Sequence, residues 1–247
     1  MCSGNKSEWF AEWFDSPYYH ALYKYRDQSE AASFLGNLLE YLSLHADARL
    51  LDLACGKGRH SFYLNSRGFD VTGVDLSPES IATAQLSANP KLRFAVADMR
   101  KLCLNTQFDV VFNLFTSFGY FESEEENLQV CKRVFEHLKP GGRLVLDYFN
   151  AALICPSHLG KMEKDADGFH FSMSKKIEGN RIYKDIEVTD GEKKFHFQEQ
   201  VQLLNATMLH TLLKNAGFEL QTEFGSYQLD AFEPGTSERL ILIAKRP

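Results

Sequence analysis

Between residues 49 and 150 short apolar runs alternate with amphipathic stretches. Arg49–Ala54, Val71–Asp75, Leu92–Val96 and Phe108–Phe115 are compact and mostly apolar. Runs of this length bounded by turn residues predict buried strands, and the unbroken run Phe108–Phe115 suits one covered on both faces. Between them, His60–Arg67 reads as a helix closed by Gly68. A second helix opens with Ser77 as N-cap and Pro78 in its first turn, and runs to about Ala88 before Pro90 stops it. Ser123-Glu124-Glu125-Glu126 has the form of a capping box and predicts a helix whose apolar face is Leu128, Cys131, Phe135 and Leu138. Pro140-Gly141-Gly142 then turns the chain into a fifth strand, Arg143–Asn150. Upstream, Phe34, Leu38, Leu39, Tyr41 and Leu42 recur near a period of 3.6 and predict a helix over Ser29–Leu44. Strands and helices in regular alternation predict an α/β fold, a doubly wound, mostly parallel sheet with helices on both faces.

After residue 150 the period changes to two. Phe169, Phe171 and Met173 alternate with polar residues, as do Ile182, Ile186 and Val188, and then Phe195, Phe197, Val201 and Leu203. The connections, Glu178-Gly179-Asn180 and Thr189-Asp190-Gly191-Glu192, are hairpin turns by composition. Residues 168–204 therefore read as an inserted antiparallel three-stranded β meander. The chain then returns to a helix, Ala206–Ala216, and two strands, Phe218–Phe224 and Glu238–Lys245.

Composition narrows the classes. The chain has 247 residues, 27 basic and 33 acidic, for a net charge of −6. That balance argues against a nucleic-acid partner, which leaves a basic footprint. No apolar run is long enough to span a bilayer, and the start lacks a secretory pattern. Cys2, Cys55, Cys103, Cys131 and Cys155 are odd in number and widely spaced. They read as reduced thiols of a cytoplasmic protein rather than a disulfide framework or a zinc site. The eight histidines show no metal-ligand spacing, so no metal is expected.

The most informative stretch is Leu50-Leu51-Asp52-Leu53-Ala54-Cys55-Gly56-Lys57-Gly58-Arg59-His60, a strand running through a glycine loop into a helix. Glycines allow the tight turn and a close ligand approach, and the helix start offers N–H groups. Asp75, 17 residues after Gly58 at the end of the second strand, is placed to accept from two ribose hydroxyls. The dinucleotide fingerprint is incomplete in both registers: Ser61 or Arg59 falls where its last glycine belongs. Asp52, just before the loop, would repel a pyrophosphate and suits a cationic ligand.

On these residues the chain resembles the class I S-adenosylmethionine-dependent methyltransferases. Asp52-Leu53-Ala54-Cys55-Gly56-Lys57-Gly58 matches their first motif, with Ala54 where many members carry glycine. Asp75, followed by Leu76, matches the ribose-binding acid, and Ala97-Asp98-Met99 the acid–apolar pair beside adenine. Asn113-Leu114-Phe115 matches the segment beside the cofactor's methionine part, and Pro140-Gly141-Gly142-Arg143-Leu144 the approach to strand five. The resemblance covers roughly residues 45–150 and 205–247. It implies a Rossmann-like seven-stranded sheet with a reversed last strand and S-adenosylmethionine as cofactor, with S-adenosylhomocysteine as product. The implied cofactor-binding set is Asp52, Ala54, Cys55, Gly56, Gly58, Asp75, Leu76, Asp98, Met99, Asn113 and Phe115.

The expected organisation is an N-terminal aromatic and helical lid (1–44), a cofactor-binding core (45–167), the β insertion (168–204) and the completion of the core (205–247). In the lid, Tyr19, Tyr23 and Arg26 are candidates to reach cofactor or acceptor, and His20 is a candidate base. Beyond strand four, Thr116-Ser117-Phe118-Gly119-Tyr120-Phe121 faces the acceptor in this reading, with Tyr120 a candidate to orient or deprotonate it. The expected activity is in-line methyl transfer to a small-molecule acceptor, a reaction that needs alignment more than acid–base machinery. The alternatives are a methyltransferase acting on nucleic acid or protein, a NAD-binding oxidoreductase, and a binding module without turnover. The β insertion either covers the acceptor site or forms a homodimer interface.

Overall fold

The computed structural model describes residues 9–24, 28–154 and 159–247, with the backbone alone for 28–30. Two compact units emerge. The larger is built from the described residues of Asp27–Ile154 and Leu204–Pro247, the smaller from those of Met1–Arg26 and Cys155–Leu203.

In the larger unit the strands are β1 (Arg49–Leu53), β2 (Asp70–Asp75), β3 (Leu92–Val96), β4 (Phe108–Asn113), β5 (Leu138–Phe149), β10 (Glu219–Phe224) and β11 (Arg239–Lys245). They form one sheet in the order β10-β11-β5-β4-β1-β2-β3. Every pairing from β5 to β3 is parallel, and β11 is antiparallel to both β5 and β10. The helices are α3 (Gln28–Leu42), α4 (Arg59–Ser66), α5 (Pro78–Gln85), α6 (Glu124–His137) and α7 (Ala206–Asn215). Ser77 caps α5 by accepting from the Ser80 amide, and Ser123 and Glu126 complete the capping box of α6. One core cluster joins Phe34, Leu35 and Leu38 of α3 to Leu50, Val110, Val145 and Ile243 of the central strands.

The smaller unit contains α1 (Trp9–Phe14), α2 (Pro17–Tyr23) and strands β6 (Lys161–Ala166), β7 (Phe169–Glu178), β8 (Arg181–Asp190) and β9 (Lys193–Gln202). The three predicted strands are present as an antiparallel meander, and β6 adds a fourth at its edge, in register with β7 from Lys161–Ser174 to Ala166–Phe169. Phe171, Met173, Ile186 and Val188 bury one sheet face against Trp13, Tyr18, Ala21 and Leu22 of the two helices. That packing supplies the partner a small sheet needs for stability. Trp13 Nε1 donates to Glu199 at 2.7 Å, Tyr23 Oη donates to the same carboxylate, and Lys184 Nζ donates to Tyr23 Oη at 2.8 Å. Among the described residues no helix is long and apolar enough to cross a membrane.

Candidate active site

β1 has β4 on one side and β2 on the other. The chain steps outward from β1 to β2 and β3 and then crosses back past β1 to β4, a reversal of strand order that opens a crevice at the carboxyl ends of the strands, the place where open α/β sheets bind ligands. The residues at that edge are the loops after β1, β2, β3 and β4.

The loop after β1 is left-handed at Ala54 (φ 63°), Gly56 (φ 54°) and Gly58 (φ 88°). At Gly58 glycine is required twice over, because an added Cβ would also lie 2.9 Å from the Phe62 ring. The Gly56 amide donates to Asp75 Oδ2 at 2.8 Å and the Ser77 amide to Asp75 Oδ1 at 2.9 Å. Half-buried Asp75 thus ties the glycine loop to the turn after β2, and half-buried Leu76 separates it from Ser77 in the chain. The Cys55 amide donates to Val74 O, and burial, followed by Asp52 and Asp75, pushes its thiol well above the ordinary range.

Asp52 is fully buried at the end of β1. Ser61 Oγ donates to its Oδ2 at 2.6 Å, and His60 Nδ1 lies 4.0 Å from its Oδ1. Burial pushes its carboxyl up to about 6, against the Ser61 hydrogen bonds that pull it down.

Asn113 closes β4 and is equally buried. Its Nδ2 donates to Leu53 O at 3.1 Å and to Ser117 O at 3.2 Å, so two carbonyls fix the orientation of the amide. Its Oδ1 is left buried without a hydrogen-bond partner. A buried acceptor in that state costs about 1–3 kcal/mol, which a donor-bearing ligand would recover. Phe115 follows in the left-handed conformation, its ring stacked on His60 at 5.0 Å with the Arg59 guanidinium 4.7 Å from its centroid.

Asp98 caps the short turn Met99–Lys101 after β3. Arg100 grips it with Nε and Nη2 and reaches Glu126 with Nη1 at 2.7 Å. Burial pulls the Asp98 carboxyl upward, but the Arg100 hydrogen bonds prevail and hold it below the usual carboxylate range. Its Oδ1 accepts from the Arg100 amide and Nε, and its Oδ2 from Nε and Nη2. An incoming amine must therefore share or displace an Arg100 contact.

Asp52, Ala54, Cys55, Gly56, Gly58, Asp75 and Asn113 thus converge on the ends of β1, β2 and β4, while Asp98 and half-buried Met99 stand one strand further along. Tyr120 Oη donates to Thr116 O within its own turn. Tyr19, His20 and Tyr23 lie in the smaller unit, where Tyr19 packs edge-on against Trp13 and Phe14, and against His20. Arg26 lies outside the described residues. Sequence reasoning left Ser61 and Asp147 out of the site and favoured a helix-start role for His60 over a catalytic one. The signal for Asp147 was a lone acid within Leu144-Val145-Leu146-Asp147-Tyr148-Phe149.

Residues 50–142 match a family model described as a methyltransferase domain. YqeM of Bacillus subtilis (strain 168), which bears the name of a methyltransferase, is 32% identical over 214 residues, spanning 83% of this chain and 86% of that protein. The chain belongs to the class I S-adenosylmethionine-dependent methyltransferases. The glycine/sarcosine N-methyltransferase of Aphanothece halophytica is 31% identical over 235 residues, 90% of this methyltransferase and 83% of its relative. Among solved structures, an S-adenosylmethionine-dependent methyltransferase from Clostridium acetobutylicum superposes with a TM-score of 0.78 over 92% of this chain and 95% of the other, at 23% identity. CalS10 of Micromonospora echinaspora, an amino pentose methyltransferase solved with S-adenosylmethionine bound, gives 0.71 over 94% and 98% at 25% identity.

The residues of this methyltransferase fit its cofactor, S-adenosylmethionine. The cofactor carries a sulfonium and an ammonium, and the switch point presents the buried Asp52 carboxylate and the unpartnered Asn113 Oδ1. At Gly56, whose amide donates to Asp75, an added Cβ would meet nothing within 4 Å, so the loop is open on that side.

Proposed function

We propose that this methyltransferase acts on an amine nitrogen of a small molecule. The observation that carries this is the name shared by relatives over most of the chain. Glycine/sarcosine N-methyltransferases of Aphanothece halophytica and Parasynechococcus marenigrum (strain WH8102) span 90% and 85% of it. A sugar N,N-dimethyltransferase of Streptomyces venezuelae spans 49%. S-adenosylmethionine supplies a methyl group already activated by its sulfonium charge.

In this reading Asp75 holds the ribose hydroxyls, Asp98 and Met99 meet the adenine, and the loop Ala54–Gly58 backs the nucleoside. Asp52, Asn113 and Phe115 border the methionine part. The protein's contribution is alignment in a dry site, which in favourable cases accounts for roughly 7–11 kcal/mol of barrier. An acceptor amine that arrives neutral needs no base. Tyr120 then steadies the turn after β4 through its bond to Thr116 O rather than taking a proton.

The net charge of −6 argues for small acceptors over nucleic acid, and a cytoplasmic location fits the reduced thiols Cys55, Cys103 and Cys131. Self-association would use β6 or β9, each with a strand neighbour on one side only. Light scattering of the purified protein reads that state directly.

The test has two stages. Calorimetric titration with S-adenosylmethionine and S-adenosylhomocysteine should show binding that Asp75→Ala abolishes. Methyl transfer from labelled cofactor is then measured on glycine, sarcosine, amino sugars, tRNA and DNA. Turnover on an amine supports the reading, and turnover confined to nucleic acid overturns it.

A further inference from the structure

The turn that follows β4 stands in a conformation its own residues disfavour. Phe115 (φ 57°) and Thr116 (φ 62°) are consecutive left-handed residues, and neither is glycine, asparagine or aspartate. Such strain persists only where surrounding structure over-determines it, and it gathers at functional sites. Here the determinants can be named.

Asp147, fully buried on β5, accepts the Phe115 amide on Oδ2 at 2.7 Å, while its backbone carbonyl accepts the Thr116 amide at 3.0 Å. Arg239 at the start of β11 closes on Asp147 Oδ1 with Nε at 2.8 Å and Nη2 at 2.6 Å. The same Nη2 donates to Thr116 Oγ1 at 3.0 Å. The Tyr227 hydroxyl stands 3.5 Å from Asp147 Oδ2, and its ring packs 5.2 Å from that of Phe115. One ion pair with a fully buried carboxylate, together with the Asp147 backbone carbonyl, therefore holds two strained residues through three hydrogen bonds, directly beyond Asn113 and its unpartnered oxygen.

Stability alone is a poor reason for this arrangement. A buried ion pair is often no better for folding than apolar residues of the same volume, and the two left-handed residues count against folding. Both features meet at one side of the switch point. Asp75 stands on the other side, at the end of β2. A ligand whose sugar hydroxyls meet Asp75 and which runs along the strand ends reaches β4 at its far end.

We propose that Asp147 and Arg239 are positioning residues for the methionine end of the cofactor, acting through the left-handed Phe115–Thr116 segment. This rests on the switch point being the cofactor site. The pair touches no reacting atom. It fixes where the Phe115 ring and the Asn113 amide stand, and so should govern the amino-acid half of the cofactor and leave the nucleoside half alone.

Ligand dissection tests this without any acceptor. Dissociation constants are measured by calorimetry for S-adenosylmethionine, S-adenosylhomocysteine and 5′-methylthioadenosine, which keeps the nucleoside and lacks the amino-acid moiety. Thr116→Ala leaves the ion pair intact and removes one of its holds. It should weaken the first two ligands by about tenfold, the scale of one charge-assisted hydrogen bond, and methylthioadenosine by less than about twofold. Thr116→Ser keeps the hydroxyl and should restore the affinities. Arg239→Met should exaggerate the same split, and if it fails to fold, the Thr116 pair decides. Equal losses for all three ligands, no loss for any, or no rescue by serine would overturn the inference. Failure of the unmodified protein to bind S-adenosylmethionine would instead remove the reading beneath it, before any variant is made.

Discussion

If Asp52 faces the cofactor as proposed, it couples stability and cofactor binding in opposite directions. Burial raises its carboxyl from 3.8 to about 6. Its surroundings are Ser61, whose hydroxyl favours the charged form, Asp75, which opposes it, Arg59, which favours it, and His60 at 4.0 Å. The folded state holds the proton that the unfolded chain has already lost, so stability falls as pH rises from about 4 to about 6 and stays lower above that. The free-energy equivalent is about 3 kcal/mol. At pH 7.5 Asp52→Asn should therefore stabilise the cofactor-free protein by up to about 3 kcal/mol, since the amide oxygen can still accept from Ser61. A cation bound beside Asp52 reverses the preference and draws the carboxyl back down. S-adenosylmethionine should then bind about tenfold more weakly at pH 5 than at pH 7, and binding near pH 6 should release protons.

Thermal denaturation of the two proteins from pH 4 to 8 reads the first effect. Calorimetry at pH 5, 6 and 7 in buffers of different ionisation enthalpy reads the second. Because histidines titrate in the same window, the Asp52→Asn protein is the necessary control, and its affinity should be weaker and flat with pH. A dissociation constant that does not move between pH 5 and 7 in the unmodified protein, with no proton release, would refute the assignment of Asp52 to a cationic ligand. A less stable Asp52→Asn protein at pH 7.5 would refute the claim that burial dominates this carboxylate.

Two further outcomes follow from local geometry. Ala54 is left-handed at φ 63°, which costs an alanine about 1–2 kcal/mol, while glycine returns about 0.4–1 kcal/mol to the unfolded chain. Ala54→Gly should therefore stabilise by about 0.5–1 kcal/mol and raise the melting temperature by about 1–4 °C; a lower melting temperature would count against the strained turn. Tyr23→Phe removes the hydroxyl that links Glu199 and Lys184 in the smaller unit and should cost that unit about 1–3 kcal/mol. Hydrogen exchange should accelerate across residues 161–202 while the parallel sheet keeps its protection, and unchanged exchange there would contradict the role given to this cluster.

The parallel core was legible because its strands are apolar runs closed by turn residues and its helices carry explicit caps, Ser77 and the Ser123–Glu126 box. β6 was not legible, for a physical reason. Lys161-Met162-Glu163-Lys164-Asp165-Ala166 is an edge strand, mostly exposed, held by backbone pairing to β7 rather than by a buried face. It therefore shows no apolar alternation. The aromatic run at the N-terminus announced burial but not against what: Trp13 and Tyr18 pack on the β7–β9 face.

The candidate cofactor site divides in the same way. Glycine residues announce the bend after β1, yet Ala54 shares the left-handed conformation with no such signal, and Phe115 and Thr116 carry side chains that ordinarily exclude it. Among the described residues of the larger unit, local preference and tertiary structure disagree at four places, Ser43 after α3, Ala54 after β1, Phe115–Thr116 after β4 and Leu229 after β10, and two of the four lie at the strands that flank the switch point. Disagreement of this kind is expected where a fold gives up local consistency for function. The polar residues of these strands follow the same rule. Asp52, Asn113 and Asp147 stand in otherwise apolar runs, each is almost wholly buried, and each is engaged with the glycine loop, the α4 start or the turn after β4. A charged or amide side chain inside a buried strand is costly unless something repays it. In this sheet such residues mark the carboxyl edge where the ligand is expected, which makes them a better guide to the site than the glycine pattern alone.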